Sequence, residues 1–519
     1  MTGHAERRGS ARHGSDRRSD GSGNRSGGHR GRRDGAHRRN RRGDDHRRFR
    51  EPKVDDARLI SLQVLTKVRE DDAYANLVLP GLLDRAGLGR RDAGFATTLT
   101  YGTLRLQGRY DAIIAHCVDR PLRQVDDVVL DTLRLGAHQL LGMRVPSHAA
   151  VSSTVDLAAC AAGRGAATFA NAVLRRVSER DLDGWLAILR AEAPDTTTAL
   201  AAIESHPIWV VKAMRQALLA NNRSEGELGP LLQADNAEPE VVLCARPGMA
   251  SPEGLAKEAE AATRREPRFG NLSPCAVVLA GGDPGRIRAV RDARAGVEDE
   301  GSQLVALMLA DAPIEGRDER WLDLCAGPGG KAALLSARAV ERGARLVANE
   351  VAPHRARLVE ASVHALPPGA VEVTCNDGRG VGRDEPGRYD RILVDAPCSG
   401  LGSLRRRPEA RWRREPKDVT ELAALQRELL ASALAAVRPG GVVAYTTCSP
   451  HVLETEYVVR DVIKRVQGGG GRIEILHAGD VATRIAPHPP AGADREMLQL
   501  WPHLERADAM FCALLRRIS

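Results

Sequence analysis

Two cysteines stand in short polar motifs that chemistry could use, Asp395-Ala396-Pro397-Cys398-Ser399 and Thr447-Cys448-Ser449. Each follows an apolar run that reads as a strand, 391–394 and 442–446. A free cysteine is often just a small buried hydrophobe, and a single one would be read that way. A matched pair at two strand ends suits covalent work on carbon. C5 of a pyrimidine is a weak nucleophile. A thiolate that adds to C6 makes the ring enamine-like and able to attack a methyl sulfonium at C5. An acid near N3 assists the addition, and the C5 proton must be removed before the thiol leaves. Asp395 suits the acidic contact, one cysteine the nucleophile and the other the elimination step. Methylation of an exocyclic amine needs no thiol, and the Pro-Pro-aromatic loop typical of that reaction is absent.

A third stretch, Cys325-Ala326-Gly327-Pro328-Gly329-Gly330-Lys331, lies between the apolar run 321–324 and a helix-like segment, 331–339. Glycines there let the backbone approach a ligand, and the helix start offers free N–H groups. Glu350 follows where a ribose-binding acid is expected, twenty residues past Gly330. The stretch is not a P-loop: Cys325 stands in place of its first glycine and Ala332 in place of its Ser or Thr. It implies an adenosine-type cofactor, either a nicotinamide dinucleotide or S-adenosylmethionine. Alone it is also compatible with a tight turn in an ordinary α/β domain.

These residues need a scaffold that brings them to one edge. From residue 321 strands and helices alternate, with strand candidates at 321–324, 345–349, 371–375, 391–394, 442–446 and 510–515. That order predicts a doubly wound α/β sheet over 316–519, whose ligands sit at the carboxyl ends of the strands. There lie the glycine loop, Glu350, Asn376-Asp377, Asp395 to Gly400, and Thr447 to Ser449. A helix over 419–437 should stop at Pro439-Gly440-Gly441, a turn into the next strand.

Upstream, residues 54–195 have apolar spacing of 3.6 throughout, with helices near 57–68, 93–106, 109–117, 126–141, 149–162 and 167–179. They predict an all-α domain, with connecting helices over 196–235. Residues 236–315 alternate and predict a small α+β module, with strands at 241–245 and 276–279 and helices at 252–262 and 283–290.

The chain has 519 residues and a net charge of +8, which is unevenly placed. Residues 1–53 hold sixteen Arg and one Lys against seven acids, a balance of +10, so the rest of the chain sums to −2. That segment is predicted to be a disordered basic tail, able to touch phosphates nonspecifically or simply to aid solubility. Nine cysteines without a CxxC spacing predict free thiols and no metal site. With no apolar run near 18–20 residues and no apolar leader, a cytosolic protein is expected. After Cys398 come Arg405, Arg406 and Arg407, then Arg411, Trp412, Arg413 and Arg414. Arginines with an interleaved aromatic suit phosphate contact and base stacking, although a solvated charged loop reads the same way.

The three motifs together resemble those of the RNA 5-methylcytosine methyltransferases of the Nol/Nop/Sun class, in particular the Sun or Fmu branch that acts on bacterial small-subunit ribosomal RNA. In that family a helical RNA-binding domain similar to the antitermination factor NusB precedes a ferredoxin-like module and a Rossmann-like catalytic domain. The order 54–195, 236–315, 316–519 fits. The resemblance implies that Cys448 is the nucleophile and that Cys398 is needed for product release. It implies an S-adenosylmethionine pocket formed by Cys325, Ala326, Gly327, Pro328, Gly329, Gly330 and Lys331 with Glu350, Asp377 and Asp395. Its partner would be ribosomal RNA, and the protein a monomer without metal or membrane. The chain departs from the family pattern at Glu350, where Asp is more usual, at Ala332 for Thr and Gly327 for Ala. Its ending, Asp508 to Phe511, matches only loosely. Three rivals stay open: a tRNA cytosine-C5 methyltransferase, a non-catalytic RNA-binding assembly factor and a nicotinamide oxidoreductase.

Overall fold

The computed structural model describes residues 53–519. The basic tail expected over 1–53 lies outside the described residues but for Lys53.

Residues 56–234 form helices joined by short connections. Their starts are written in the sequence. Asp55, Asp126, Asp181 and Asp195 each accept an N–H of the first helical turn, satisfying a donor with no partner inside the helix. The helices expected at 149–162 and 167–179 are one run, Ser147–Val177, interrupted at Gly163, whose φ of 81° is open to glycine. By length and composition this run could cross a bilayer. It instead buries Ala158, Ala170, Val173 and Leu174 against Tyr110, Ile113, Val129 and Leu133, as a core helix of the bundle.

Four strands follow: β1 (Val241–Ala245), β2 (Arg268–Phe269), β3 (Ala276–Leu279) and β4 (Ala295–Val297). They form an antiparallel sheet in the order β2-β3-β1-β4. The short β2 and β4 carry too few residues for an alternating pattern to show. The helix expected at 283–290 is a 3-10 turn and one short helix, Arg288–Arg291.

Helix Glu300–Asp311 leads into the second sheet. Its strands are β5 (Arg320–Asp323), β6 (Arg345–Asn349), β7 (Val371–Thr374), β8 (Tyr389–Asp395), β9 (Val437–Thr447), β10 (Ile473–Leu476), β11 (Leu498–Gln499) and β12 (Phe511–Arg517). The order is β10-β12-β9-β8-β5-β6-β7, with β11 paired to β12. Strands β5 to β9 are parallel, and β12 runs antiparallel to β9. The parallel strands therefore end on one edge. The strand order reverses between β5 and β8, where a crevice opens in such sheets.

Pairing in β9 begins at Val437, ahead of the expected turn, and slips between Tyr389 and Arg391. Gly440 absorbs the irregularity at φ 78°. At Gly441 a Cβ would fall 2.7 Å from Asp390 O, so the close strand approach excludes a side chain. Trp321 is fully buried on β5 with Leu304 to Ala310 packed over it.

Candidate active site

The glycine loop leaves β5 and is pinned from two sides. Ala326 donates to Asn349 O (2.8 Å), and Arg355 Nη2 to Gly327 O (2.6 Å). Gly327 N–H donates to Glu350 Oε2 (3.0 Å), and the other carboxylate oxygen accepts from Ala352 N–H (3.0 Å). A Cβ on Gly327 would fall 2.3 Å from Glu350 Oε2, so glycine there and the longer Glu350 belong together. Gly329 turns the chain into helix Gly330–Glu341 with φ 116°. Cys325 is partly exposed, and burial raises its thiol pKa well above the ordinary value.

Asn349, which sequence reasoning passed over, ties three strand ends together. Its side chain donates to Leu324 O (3.1 Å) and Asn376 O (2.9 Å) and accepts from Asn376 N–H (3.0 Å). Asp377 lies beyond, exposed and paired with Arg379 at 2.6 Å. It borders a cavity of about 660 Å³ shared with Asn349, Asn376 and Tyr389, and neither Cys398 nor Cys448 reaches it.

At the ends of β8 and β9, Cys398 Sγ and Cys448 Sγ lie 3.3 Å apart. The two motifs, fifty residues apart in sequence, are thus one site. The sulfurs share a hydrogen bond that either can donate. The contact with Cys448 and burial raise the Cys398 pKa, while the bond from Cys398 lowers that of Cys448. Lys331 adds to the lowering; burial and Asp395 oppose it. A thiolate is thereby favoured on Cys448.

Lys331 turns away from the glycine loop. Its Nζ pairs with Asp395 Oδ2 (3.0 Å) and donates to Ser302 Oγ (3.2 Å). Burial works against its charge, but Asp395 and Glu298 outweigh it and hold the ammonium pKa above its ordinary value. Asp395 also accepts from Thr446 Oγ1 (3.2 Å).

Glu454 stands behind both cysteines. It accepts from Ser399 N–H (2.7 Å), Ser399 Oγ, Ser449 Oγ (2.6 Å) and Gln426 Nε2 (3.2 Å). Gln426 in turn donates to Pro397 O (2.8 Å). The serines flanking Cys398 and Cys448 are thus clamped to one carboxylate. No motif advertised Glu454; its only sequence signal is an acid five residues past Ser449.

The arginine stretch divides. Arg405 and Arg406 pair with Asp299 (2.9 and 2.6 Å) and with Asp508 (2.9 and 3.1 Å). Arg411 is wholly buried and donates to Ser205 O (2.9 Å), Asn236 Oδ1 (2.8 Å), Asp235 O (3.2 Å) and Arg105 O (3.3 Å). Arg413 donates to Val68 O (2.7 Å) and Ala73 O (2.6 Å). These four guanidinium groups are committed to partners inside the protein, which corrects the RNA-contact expectation for them. Arg407 and Trp412 are exposed, Arg407 lying 5.2 Å from the Tyr74 ring centroid. Arg414 is half-buried, with no acidic partner among the described residues.

Known proteins share this chain's sequence and fold. Residues 308–516 match the family model of the 16S rRNA methyltransferase RsmB/F, and residues 55–179 that of the NusB family. Putative methyltransferase MT1451 of Mycobacterium tuberculosis (strain CDC 1551 / Oshkosh) is 47% identical over 471 residues, covering 91% of this chain and 98% of the relative. Ribosomal RNA small subunit methyltransferase B of Pseudomonas putida is 32% identical, covering 79% of this chain and 89% of its own. The crystal structure of PH0851 shares the fold, with a TM-score of 0.71 at 19% identity over 90% of this chain and all of that one. The chain belongs to the RsmB/F family of S-adenosylmethionine-dependent RNA methyltransferases, with a NusB domain ahead of its Rossmann-like catalytic domain.

Proposed function

We propose that this protein methylates C5 of a cytosine in small-subunit ribosomal RNA through a covalent bond from Cys448 to C6, in the cytoplasm. The observation that carries this reading is the 3.3 Å contact between Cys398 and Cys448, beside the Lys331–Asp395 ion pair.

The residues present fit the cofactor. The loop 325–331 offers backbone at the start of a helix, and the Gly327 position has no room for a side chain. Glu350 and Asp377 stand at successive strand ends, where a ribose and a base would lie. The bound cofactor supplies an electrophilic methyl on its sulfonium. The rest belongs to the chain. Cys448 adds as a thiolate to C6, and Cys398 holds the proton that would otherwise quench it. The Lys331–Asp395 pair would face the N3 side of the ring and support the charge that builds there. After C5 is methylated, a water held by Cys398 takes the C5 proton into solvent, the C6–S bond breaks, and the electron pair returns to Cys448 as thiolate, to which Cys398 again donates. Exposed Arg407 and Trp412, with half-buried Arg414, remain for RNA contact.

The test separates the two thiols. Cys448→Ala should give no methyl transfer and no RNA–protein adduct on a denaturing gel. Cys398→Ala should still attack and accumulate an adduct that needs both S-adenosylmethionine and Cys448. An adduct in Cys448→Ala would exchange the roles, and activity in both variants would end the thiolate mechanism. Bisulfite sequencing of small-subunit RNA from a deletion strain checks the substrate.

A further inference from the structure

Glu298 follows β4, and the reaction described above gives it no role. Its backbone is fixed: its N–H donates to Val242 O (3.0 Å) and its carbonyl accepts from Gln303 Nε2 (2.9 Å). Its side chain is not. Oε1 is buried without a hydrogen-bond partner. The carboxyl group lies against the start of helix Gly330–Glu341, where a Cβ on Gly330 would be 3.3 Å from Glu298 Cδ.

Lys331 from that helix, Arg246 from beyond β1, Asp395 from β8 and Asp299 beside it in sequence act on its charge, and Glu298 acts in turn on the thiols of Cys244 in β1 and Cys275 just ahead of β3. The two cations are engaged elsewhere. Lys331 holds Asp395 and Ser302, while Arg246 Nη1 donates to Ala293 O and to Ser362 O (2.5 Å). Burial is the main cause that lifts the Glu298 pKa to about 7. A buried acceptor without a donor raises the free energy of the empty protein. Such a group suits a cation that arrives later.

Position in the crevice says which cation. The cofactor's methyl must be delivered beside Cys448 and Asp395, while its adenosine extends towards Glu350 and Asp377. The amino-acid half hangs from the same sulfonium, so it lies at the Cys448 end, where Glu298 is. Its α-carboxylate suits the free N–H groups opening helix Gly330–Glu341. Its α-ammonium then needs an acceptor beside that helix start. We propose that Glu298 accepts the α-ammonium of S-adenosylmethionine, making the residue after β4 a binding determinant for the amino-acid half of the cofactor. This deepens the cofactor assignment and rests on it.

Calorimetry with two probes tests it. S-adenosylhomocysteine keeps the ammonium, and 5′-methylthioadenosine lacks the whole amino-acid half. Glu298→Gln, which keeps the shape, should bind S-adenosylhomocysteine roughly ten- to a hundredfold more weakly and 5′-methylthioadenosine unchanged. The wild-type protein should lose affinity for S-adenosylhomocysteine as pH falls through about 7, and Glu298→Gln should lose less. That difference separates Glu298 from Asp323, whose carboxyl group is also lifted towards neutrality. Equal weakening of both probes would make Glu298 a shaper of the pocket and overturn the proposal, as would unchanged affinity for S-adenosylhomocysteine. Failure of the wild-type protein to bind S-adenosylhomocysteine would instead overturn the cofactor assignment itself.

Discussion

The cysteine pair has two unlike neighbourhoods. On one side Glu454 is saturated, with Ser399, Ser449 and Gln426 all donating to it. On the other, Asp323 Oδ2 and Glu298 Oε1 are buried without partners, and Lys331 divides itself between Asp395 and Ser302. A saturated carboxylate holds its neighbours still. Under-satisfied ones raise the free energy of the empty protein and return it when a ligand supplies the missing donors. The pair thus sits between a clamp and a receiving surface, and polar satisfaction tells the two apart where burial does not.

Replacing the clamp should have the largest effect. Glu454→Ala strands the donors of Ser399, Ser449 and Gln426 and should lower stability by about 3–5 kcal/mol, read by urea unfolding. Methyl transfer should fall even where the protein remains folded. Stability within about 0.5 kcal/mol of wild type would erase the distinction between the sides.

Glu350 blurs the comparison, because it is proposed to hold the cofactor yet both its oxygens accept backbone N–H groups. Glu350→Ala should weaken S-adenosylhomocysteine binding by about 1.5–3 kcal/mol, the worth of a charge-assisted bond. Calorimetry paired with a thermal melt decides. Lost stability with unchanged affinity would move Glu350 to the clamp.

At Asp323 the effect depends on pH, and its sign is the informative part. Burial, helped by Asp395, lifts its pKa to about 8, against about 3.9 in an unfolded chain. Between those values the folded protein keeps a proton that the unfolded chain has released. Stability therefore falls as pH rises from about 4 to about 8 and is flat beyond. Asp323→Asn does not titrate, so its stability relative to wild type should grow between about pH 6.5 and about pH 8 by on the order of 2 kcal/mol. A difference independent of pH would show that Asp323 is ionised in the fold throughout.

The parallel sheet was legible because each strand and its polar ending lie within ten residues of sequence. The site's motifs were legible for the same reason: the glycine loop, Asp395-Ala-Pro-Cys398 and Thr447-Cys448 are each local. The Cys398–Cys448 contact followed from the topology, since β8 and β9 are neighbours in register. Glu298 and Asp323 were missed because their lack of a partner exists only in three dimensions. The arginines misled for the complementary reason. An exposed Arg cluster and a buried one read alike when the accepting oxygens, as for Arg411, lie 175 to 306 residues away.

Those separations also set a timetable for the growing chain. Every acceptor of Arg411 and Arg413 named above belongs to residues made by the time Asn236 is added, and Arg411 comes 175 residues after that. At ~5–20 residues per second, about 10–35 s pass before the guanidinium groups arrive. The helical domain therefore leaves the ribosome early, with its socket of carbonyl groups still open to water. It is completed only when the loop carrying Cys398 is threaded back into it.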